Sequence, residues 1–387
     1  MIMNKSTLER SKNPKTLFQQ IYTQLKKQIT QGEIPVGSQI TPEIELAKQY
    51  QVSRTTIRQA LAKLEKDGMV KRVQGSGTFV IDKTAQSVEA GSNKRIGVLL
   101  VDADDQLTIE ILQGIEQSAR SRGYRISLAY TNESPEITSH DFSSLESDDV
   151  SGFIVFPRSN IQFDPEIARL CSAAIPVVLV DRYLPALKTD YVVADNFQGG
   201  YRATEHLIIL GHTHIGFIHN KIGNLKTTGV RDRYEGYRKA LMDYGVPFDE
   251  HSVYEYPSHL DATGTFFDEL LIRPNRPSAF FLVTDEDVPA FLNAARRQKI
   301  LVPEDIAVVG FDNLRFSENL NPPLTTVAHP RKEIGIRAGH LLIDRIEGRK
   351  NIPGQVVLPT SLIVRESCGV RMRVRQSLAR VAKPSKP

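Results

Sequence analysis

The sequence predicts a multidomain chain: a small α+β winged helix-turn-helix at the front, followed by a larger two-lobed α/β body with parallel sheets. Three observations predict it. Residues 15–82 read as three helical patterns and then a glycine-tipped hairpin. From Lys94 onward, short apolar runs alternate with helical patterns in two successive series. Charge divides along the same line: residues 15–83 hold 11 Lys/Arg against 6 Asp/Glu, while 84–370 are nine charges negative. A basic front on an acidic body points to a nucleic-acid partner for the front only.

The first helix covers about residues 15–31, where Leu17, Ile21, Leu25 and Ile29 form one stripe at i+4 steps. Gly32 suits the position just past its end, and Pro35 and Gly37 punctuate the loop. Thr41-Pro42 reads as an N-cap followed by the first residue of a second helix, which runs to about Tyr50. The third helix, VSRTTIRQALAKL (Val52–Leu64), has two faces. Ile57, Leu61 and Leu64 recur at i, i+4, i+7 and face a core. Arg54 and Arg58 lie on another face, with Thr55 and Thr56 in the first turn and Ser53 as N-cap. Free backbone N–H groups, the positive end of the helix dipole, hydroxyls and guanidinium groups suit a helix entering the major groove. A solvated basic face has the same composition, so this helix alone does not decide. Met69–Val73 and Thr78–Ile81 then read as strands joined by Gln74-Gly75-Ser76-Gly77, a turn whose backbone can approach phosphates or the minor groove.

TPEIELAKQYQVSRTTIRQALAKLEKDGMVKRVQGSGTFV, within Pro14–Asp82, resembles the GntR family of bacterial regulators, with VSRTTIRQAL and GSGTFV at the family's spacing. The resemblance implies DNA contacts from Arg54, Thr55, Thr56 and Arg58, and from Gln74 and Gly75 of the wing. One position departs: Ile44 stands where the family commonly has Arg, so Arg54 and Arg58 are expected to carry a larger share of operator contact.

Lys83–Asn93 (KTAQSVEAGSN) is small, polar and aperiodic, and reads as an interdomain linker. In the body, RIGVLLV, YRISLAY, SGFIVFP and PVVLVDR form one series of strands, and YVVADN, HIGFIHN, SAFFLVTD and IAVVGFD a second. With helical patterns between them, these predict parallel sheets in two lobes of similar topology. LVPEDIAVVGFDN (301–313), NPPLTTVAHP (321–330), DNFQGGY (195–201) and RDRYEGYRKAL (231–241) resemble the LacI/GalR effector domain, over about Lys94–Val370. That resemblance implies the periplasmic-binding-protein-like fold and, with the front, an AraR-type architecture. It implies three crossings between lobes, expected near Leu187–Tyr191, Arg315–Thr326 and Val356–Thr360. The domain boundaries expected are 1–14 as a flexible N-terminus, 15–82, 83–93, 94–370, and 371–387 as a basic tail. The tail is either a disordered end or a source of nonspecific DNA affinity.

Open α/β sheets bind ligands outside the carboxyl ends of their strands. The polar residues expected there are Asp102, Arg158, Asp181, Arg182, Asp285 and Asp312, with Arg233 on a helix before Gly236-Tyr237. Carboxylates with one or two arginines suit a polyhydroxylated, uncharged ligand. The resemblance puts Arg233, Asp285 and Asp312 on the sugar, although Asp285-Glu286 stands where the family has Asn then Asp. Any one Asp at a strand end serves equally well as a helix cap. For stacking against sugar C–H faces, Phe156 and Tyr183 are candidates, since the chain has no Trp.

Other chemistries are expected to be absent. His206, His212 and His214 have no metal-ligand spacing, Gly199-Gly200 lacks the dinucleotide pattern, and no nucleophile elbow or P-loop appears. No catalytic residue, metal or cofactor is expected. Two distant cysteines, no secretory h-region and no apolar run of about 20 residues lead to a cytoplasmic location without a membrane partner. The expected function is a homodimeric repressor that binds operator DNA and is controlled by a monosaccharide between its lobes, with L-arabinose implied by the family. The alternatives are a nucleobase or amino-acid effector, or a sugar-processing enzyme with a DNA-binding head.

Overall fold

The computed structural model describes residues 17–35, 37–67, 69–73, 77–80, 94–221, 224–257, 265–349 and 354–371. The expected flexible N-terminus, the linker, the tail beyond 371 and the wing residues Gln74 and Gly75 lie outside them. The chain divides into two units at Ser92–Asn93.

The front unit holds helices α1 (Leu17–Thr30), α2 (Glu43–Tyr50) and α3 (Arg54–Lys66), then strands β1 (Val70–Val73) and β2 (Gly77–Val80). The strands pair antiparallel, Val70 with Val80 and Val73 with Gly77. Ile21, Leu25, Leu46, Ile57, Leu61 and Leu64 form one core with Val70 and Val80, so the stripes read from spacing meet in one place. Each such side chain contributes about 1.5–3 kcal/mol by leaving water. One expectation shifts by a residue: Pro42, not Thr41, precedes helical Glu43 and caps it with no side-chain hydrogen bond. Gln51, at φ 52°, turns the chain out of α2 into α3.

The second unit has two six-stranded sheets. The first contains β3 (Arg95–Leu100), β4 (Arg125–Tyr130), β5 (Phe153–Val155), β6 (Val177–Val180), β7 (Asp190–Ala194) and β13 (Gln355–Leu358). Their order is β13-β7-β6-β5-β3-β4 and every pairing is parallel. The second contains β8 (Ile215–Asn220), β9 (Val253–Tyr256), β10 (Ala279–Leu282), β11 (Ala307–Asp312), β12 (Thr325–Ala328) and β14 (Ser361–Ile363), in the order β14-β12-β11-β10-β8-β9. Only β14 runs antiparallel. Val177–Val180 and Ala307–Asp312 are buried along their whole length, as strands covered on both faces must be.

Helices α4 (Gln106–Ser121) and α11 (Arg331–Ile346) cross on the first sheet, and α7 (Asn196–Ile209) and α8 (Thr228–Asp243) on the second. Glycines permit both crossings. A Cβ on Gly114 would lie 2.1 Å from the Lys332 carbonyl oxygen, and one on Gly200 2.2 Å from that of Arg233. Gly200 therefore serves helix packing, while Gly199 admits the Phe311 ring, 2.6 Å from where its Cβ would lie.

The chain crosses between lobes at Ala194–Asn196, Ala328–Arg331 and Leu358–Ser361. The third lies where expected; the first two do not. Residues 187–191 lead into β7, which must complete the first sheet before the chain can leave it. Residues 315–326 stay in the second lobe, because β12 pairs with β11. The first and third crossings run side by side, with the Asp195 N–H donating to the Leu358 carbonyl at 2.7 Å.

Candidate functional site

The recognition helix α3 opens with Ser53, whose hydroxyl accepts from the Thr56 N–H at 3.2 Å. Arg54, Thr55 and Arg58 are exposed and Thr56 is half-buried, while Ile57, Ala60 and Leu61 face inward. The arginines are not equivalent. Arg58 donates through Nε to Glu43 Oε2 at 3.2 Å. Arg72, on β1, lies 3.8 Å from Glu43 and 3.6 Å from Glu65, and donates to the Arg58 carbonyl at 3.3 Å. Two glutamates thus connect α2, α3 and β1. Ile44, at the departing position, is 51% exposed.

In the body, the carboxyl ends of both sheets border a cleft of about 940 Å³, within the range of small-molecule sites. Asp102, Asp181, Arg233 and Asp312 line it, as expected. Arg233 is its most constrained cation. Its Nε donates to Asn196 Oδ1 at 2.9 Å, its Nη1 donates to the Val283 carbonyl, and its guanidinium lies 3.6 Å from the Phe311 ring centroid. Nη2 approaches Asp312 Oδ1 at 3.6 Å. Burial works against the Arg233 charge, and Asp312 and Asp181 offset it.

Asp312 ends β11 at φ 108° and is almost wholly buried. Burial pushes its carboxyl above the usual range, against the pull of Arg233. Asp181 is the counterpart on the first lobe, at φ 65°. Burial alone would raise it, but His329 at 3.1 Å, with Arg182 and Arg233, holds it below the usual range. The His329 ring approaches Asp181 off the hydrogen-bonding axis. Arg182, also on the cleft, lies over the Phe156 ring at 4.7 Å and pairs with Glu133 at 3.2 Å.

Two expected residues are corrected. Asp285 does not line the cleft. It is fully buried, and its carboxylate accepts from the Thr326 hydroxyl at 2.8 Å, the Ser317 hydroxyl at 2.6 Å and the Leu314 N–H at 3.1 Å. Burial and the nearby Asp312 push it up to about 7. Thr284 and Glu286, its neighbours on either side, face the cleft instead, because a 3-10 turn over Asp285–Asp287 takes the chain out of β10 and turns Asp285 inward. Arg158 is likewise turned away, 3.6 Å from Asp164, the residue that caps helix α6 (Pro165–Ser172). Of the two stacking candidates, Phe156 lines the cleft and Tyr183 does not. Tyr183 stacks on Tyr191 with centroids 5.1 Å apart.

Glu286 stands exposed on the cleft wall. Enclosure, then the charges of Asp105, Asp312, Asp287 and Asp102, push its carboxyl up to about 7. Sequence reasoning missed it, along with Phe316, Asn220 and Thr227 on the same wall. Asn220 ends β8 and could have been found as a polar residue at the carboxyl end of a strand; Glu286, in a 3-10 turn, and Thr227 and Phe316 stand where no strand periodicity sets the course.

The lobes touch on both sides of this cleft. Asn160 donates from its backbone N–H to Thr227 Oγ1 at 3.0 Å, and that hydroxyl donates to Asn160 Oδ1 at 3.1 Å. The Tyr183 N–H donates to Thr228 Oγ1 at 3.1 Å. Opposite, the Arg315 N–H donates to Gln106 Oε1 at 3.1 Å.

Two of the three histidines weighed as metal ligands are engaged elsewhere: His212 with Ser278 at 2.9 Å and His214 with Ser252 at 3.0 Å. Among the described residues, no group of three or more His, Cys, Asp or Glu is placed to hold a metal, and no helix is long and apolar enough to cross a membrane.

Residues 17–80 match the bacterial regulatory proteins of the gntR family, and residues 204–368 match the periplasmic binding protein-like domain. The arabinose metabolism transcriptional repressor of Geobacillus stearothermophilus is 34% identical over 360 residues, covering 89% of this chain and 97% of that protein. The chain belongs to the AraR-type family of transcriptional regulators. As an AraR-type regulator it is a DNA-binding protein and not an enzyme, which removes the enzyme alternative. Among solved structures, the transcriptional regulator CelR–cellobiose complex superposes with a TM-score of 0.64 at 28% identity, over 82% of this chain and 92% of that one. A LacI family regulator from Enterococcus faecium with bound ribose superposes with a TM-score of 0.60 at 26% identity, over 70% of this chain and 98% of that one.

Proposed function

We propose that this regulator is a sugar-responsive repressor whose effector is a monosaccharide held in the cleft. The observation that carries the reading is Arg233: a buried guanidinium held by Asn196, the Val283 carbonyl and the Phe311 ring, beside carboxylates on both lobes. Such a set offers a fixed donor and several acceptors to a polyhydroxylated ligand. The sugars named with two structural relatives, cellobiose and ribose, support that class, and L-arabinose is the first to test given the Geobacillus repressor.

In this reading Arg233, Asp312, Asp181 and Asp102 hold the effector. Arg54, Thr55, Thr56 and Arg58 meet DNA as a homodimer binds a near-palindromic operator in the cytoplasm. Residues 83–93 serve as linker between units 15–82 and 94–370. Effector and operator affinities are reciprocally coupled; about 2–3 kcal/mol gives a 30- to 150-fold change. A nucleobase is the second reading, favoured by the exposed Phe316 ring on the cleft wall.

A thermal-shift screen of the full chain against pentoses, hexoses, nucleobases and amino acids tests this. Stabilisation of about 4 kcal/mol is expected at a thousandfold excess over Kd. Stabilisation by bases or amino acids alone would overturn the sugar reading.

A further inference from the structure

We infer that Glu43 is a specificity-determining positioning residue, which presets Arg58 and Arg72 and thereby converts general DNA affinity into preference for the operator. The inference rests on the reading that Arg58 meets DNA. Glu43 opens α2, and its two carboxylate oxygens face different elements: Oε2 accepts from Arg58 Nε at 3.2 Å, and Oε1 lies 3.8 Å from Arg72 Nη2. Arg72 is held further by Glu65 at 3.6 Å and itself holds the Arg58 carbonyl at 3.3 Å. The recognition helix, the helix before it and the first wing strand are thus linked through side chains.

Stability does not account for this arrangement. The Arg58 side chain is 60% exposed, and ion pairs so open to solvent contribute little to folding. The electrostatic cost is plain, since a carboxylate beside a DNA-reading face repels phosphates of every sequence. What it offers is geometry. With Nε engaged by Glu43, the Arg58 fork is restrained before DNA arrives, and its Nη groups are left for a base edge. The ordering entropy of a long side chain is then already spent, and that saving is realised only where a guanine meets the fork. Phosphates, which accept a cation in many geometries, gain nothing from the restraint and still meet the added negative charge.

The test uses full-length protein and two probes: a duplex enriched from a random-sequence pool by the wild-type chain, and a scrambled duplex of the same composition. Glu43→Gln keeps the shape and removes the charge. It is expected to bind scrambled DNA more tightly and to lower the ratio of enriched to scrambled affinity by about three- to tenfold. Glu43→Asp is expected to recover part of that ratio, and unfolding midpoints should stay unchanged. In a double-mutant cycle, Glu43→Gln should have no further effect on the ratio once Arg58 is Ala. Equal changes on both duplexes would overturn the inference and leave Glu43 a general repulsive charge. If Arg58→Ala itself leaves the ratio untouched, the DNA-contact reading of Arg58 fails first, and the inference falls with it.

Discussion

The Arg233 guanidinium lies over the Phe311 ring, 3.6 Å from its centroid, so a cation from helix α8 rests on an aromatic face from strand β11. The ring fixes the plane of the guanidinium while Asn196 and the Val283 carbonyl fix its rotation. A lysine has the charge but neither the plane nor the fork. Arg233→Lys should weaken effector binding more than tenfold and destabilise the body by about 1–3 kcal/mol. Calorimetric titration with the sugar that stabilises the wild type, beside thermal unfolding, reads both effects. Unchanged sugar affinity would remove Arg233 from the site.

Asp312 pairs with Arg233 at 3.6 Å and has no aligned hydrogen bond at Oδ1. The carboxylate borders the cleft and keeps acceptor capacity that a ligand hydroxyl could use. Asp312→Asn should leave operator binding intact and abolish release by the sugar. A gel shift with operator, titrated with effector, checks this; release at the same sugar concentration as wild type would sink it.

Arg58→Ala should cost about 1–3 kcal/mol on operator DNA and relax sequence preference, if this residue reads a base. A phosphate-only role would weaken all sequences alike and reduce the salt slope by about one. Comparing operator with scrambled DNA at two salt concentrations separates the two roles.

The latch between Asn160 and Thr227 is closed, and the same side is also held by Tyr183, whose N–H donates to Thr228 and whose hydroxyl meets Asp232 and Arg231, and by Asn160 with Lys221 and Asn224. Thr227→Ala removes its two bonds to Asn160 and should shift the body toward an open state by about 1 kcal/mol. Effector affinity should fall by up to about fivefold through that population shift, with a larger radius of gyration by solution scattering. An unchanged radius and affinity would show the latch to be passive.

Burial pushes Asp285 up to about 7, with Asp312 adding to the shift, and burial does the same for Asp287. In the unfolded chain both titrate near ~4. Between about pH 4 and 7 the unfolded chain has lost these protons and the folded body retains them, so their contribution to stability falls as pH rises and levels off above 7. Glu286, bathed by cleft water, is screened and adds less. Asp181 has the opposite sign, its contribution being lost as pH falls below the usual carboxylate range. Asp287→Asn should therefore gain about 1–3 kcal/mol on the wild type between pH 5 and pH 8 in urea unfolding of the body. A gap independent of pH would place the titration on other groups.

Much of this was legible in the residues, for reasons that differ by element. The stripe Ile57-Leu61-Leu64 and the buried runs of β6 and β11 follow from periodicity, which depends only on local geometry. Asp181 and Asp312 were found because strand ends in open α/β sheets face a crevice. Arg158 and Asp285 were placed on the wrong side because each stands beyond the end of its strand, Asp285 in a 3-10 turn, where the strand's alternation no longer sets the facing. Their partners, the Asp164 carboxylate for Arg158 and the Ser317 and Thr326 hydroxyls for Asp285, become neighbours only through tertiary folding. Glu43 was passed over for the same reason, lying 15 residues from the arginine it holds.

The closing segment of the chain adds a constraint on how the body is made. β13 completes the edge of the first sheet and β14 that of the second, and α11 covers α4 through Gly335 and Gly114. The first lobe opens at Arg95 and is complete only at Leu358. While the ribosome is still extending the chain, α4 has no cover, and neither sheet has its last strand. Nascent chains stopped before Arg331 should thus be substrates for chaperones and proteases, and the lobes cannot be separated into two genes by a cut between them.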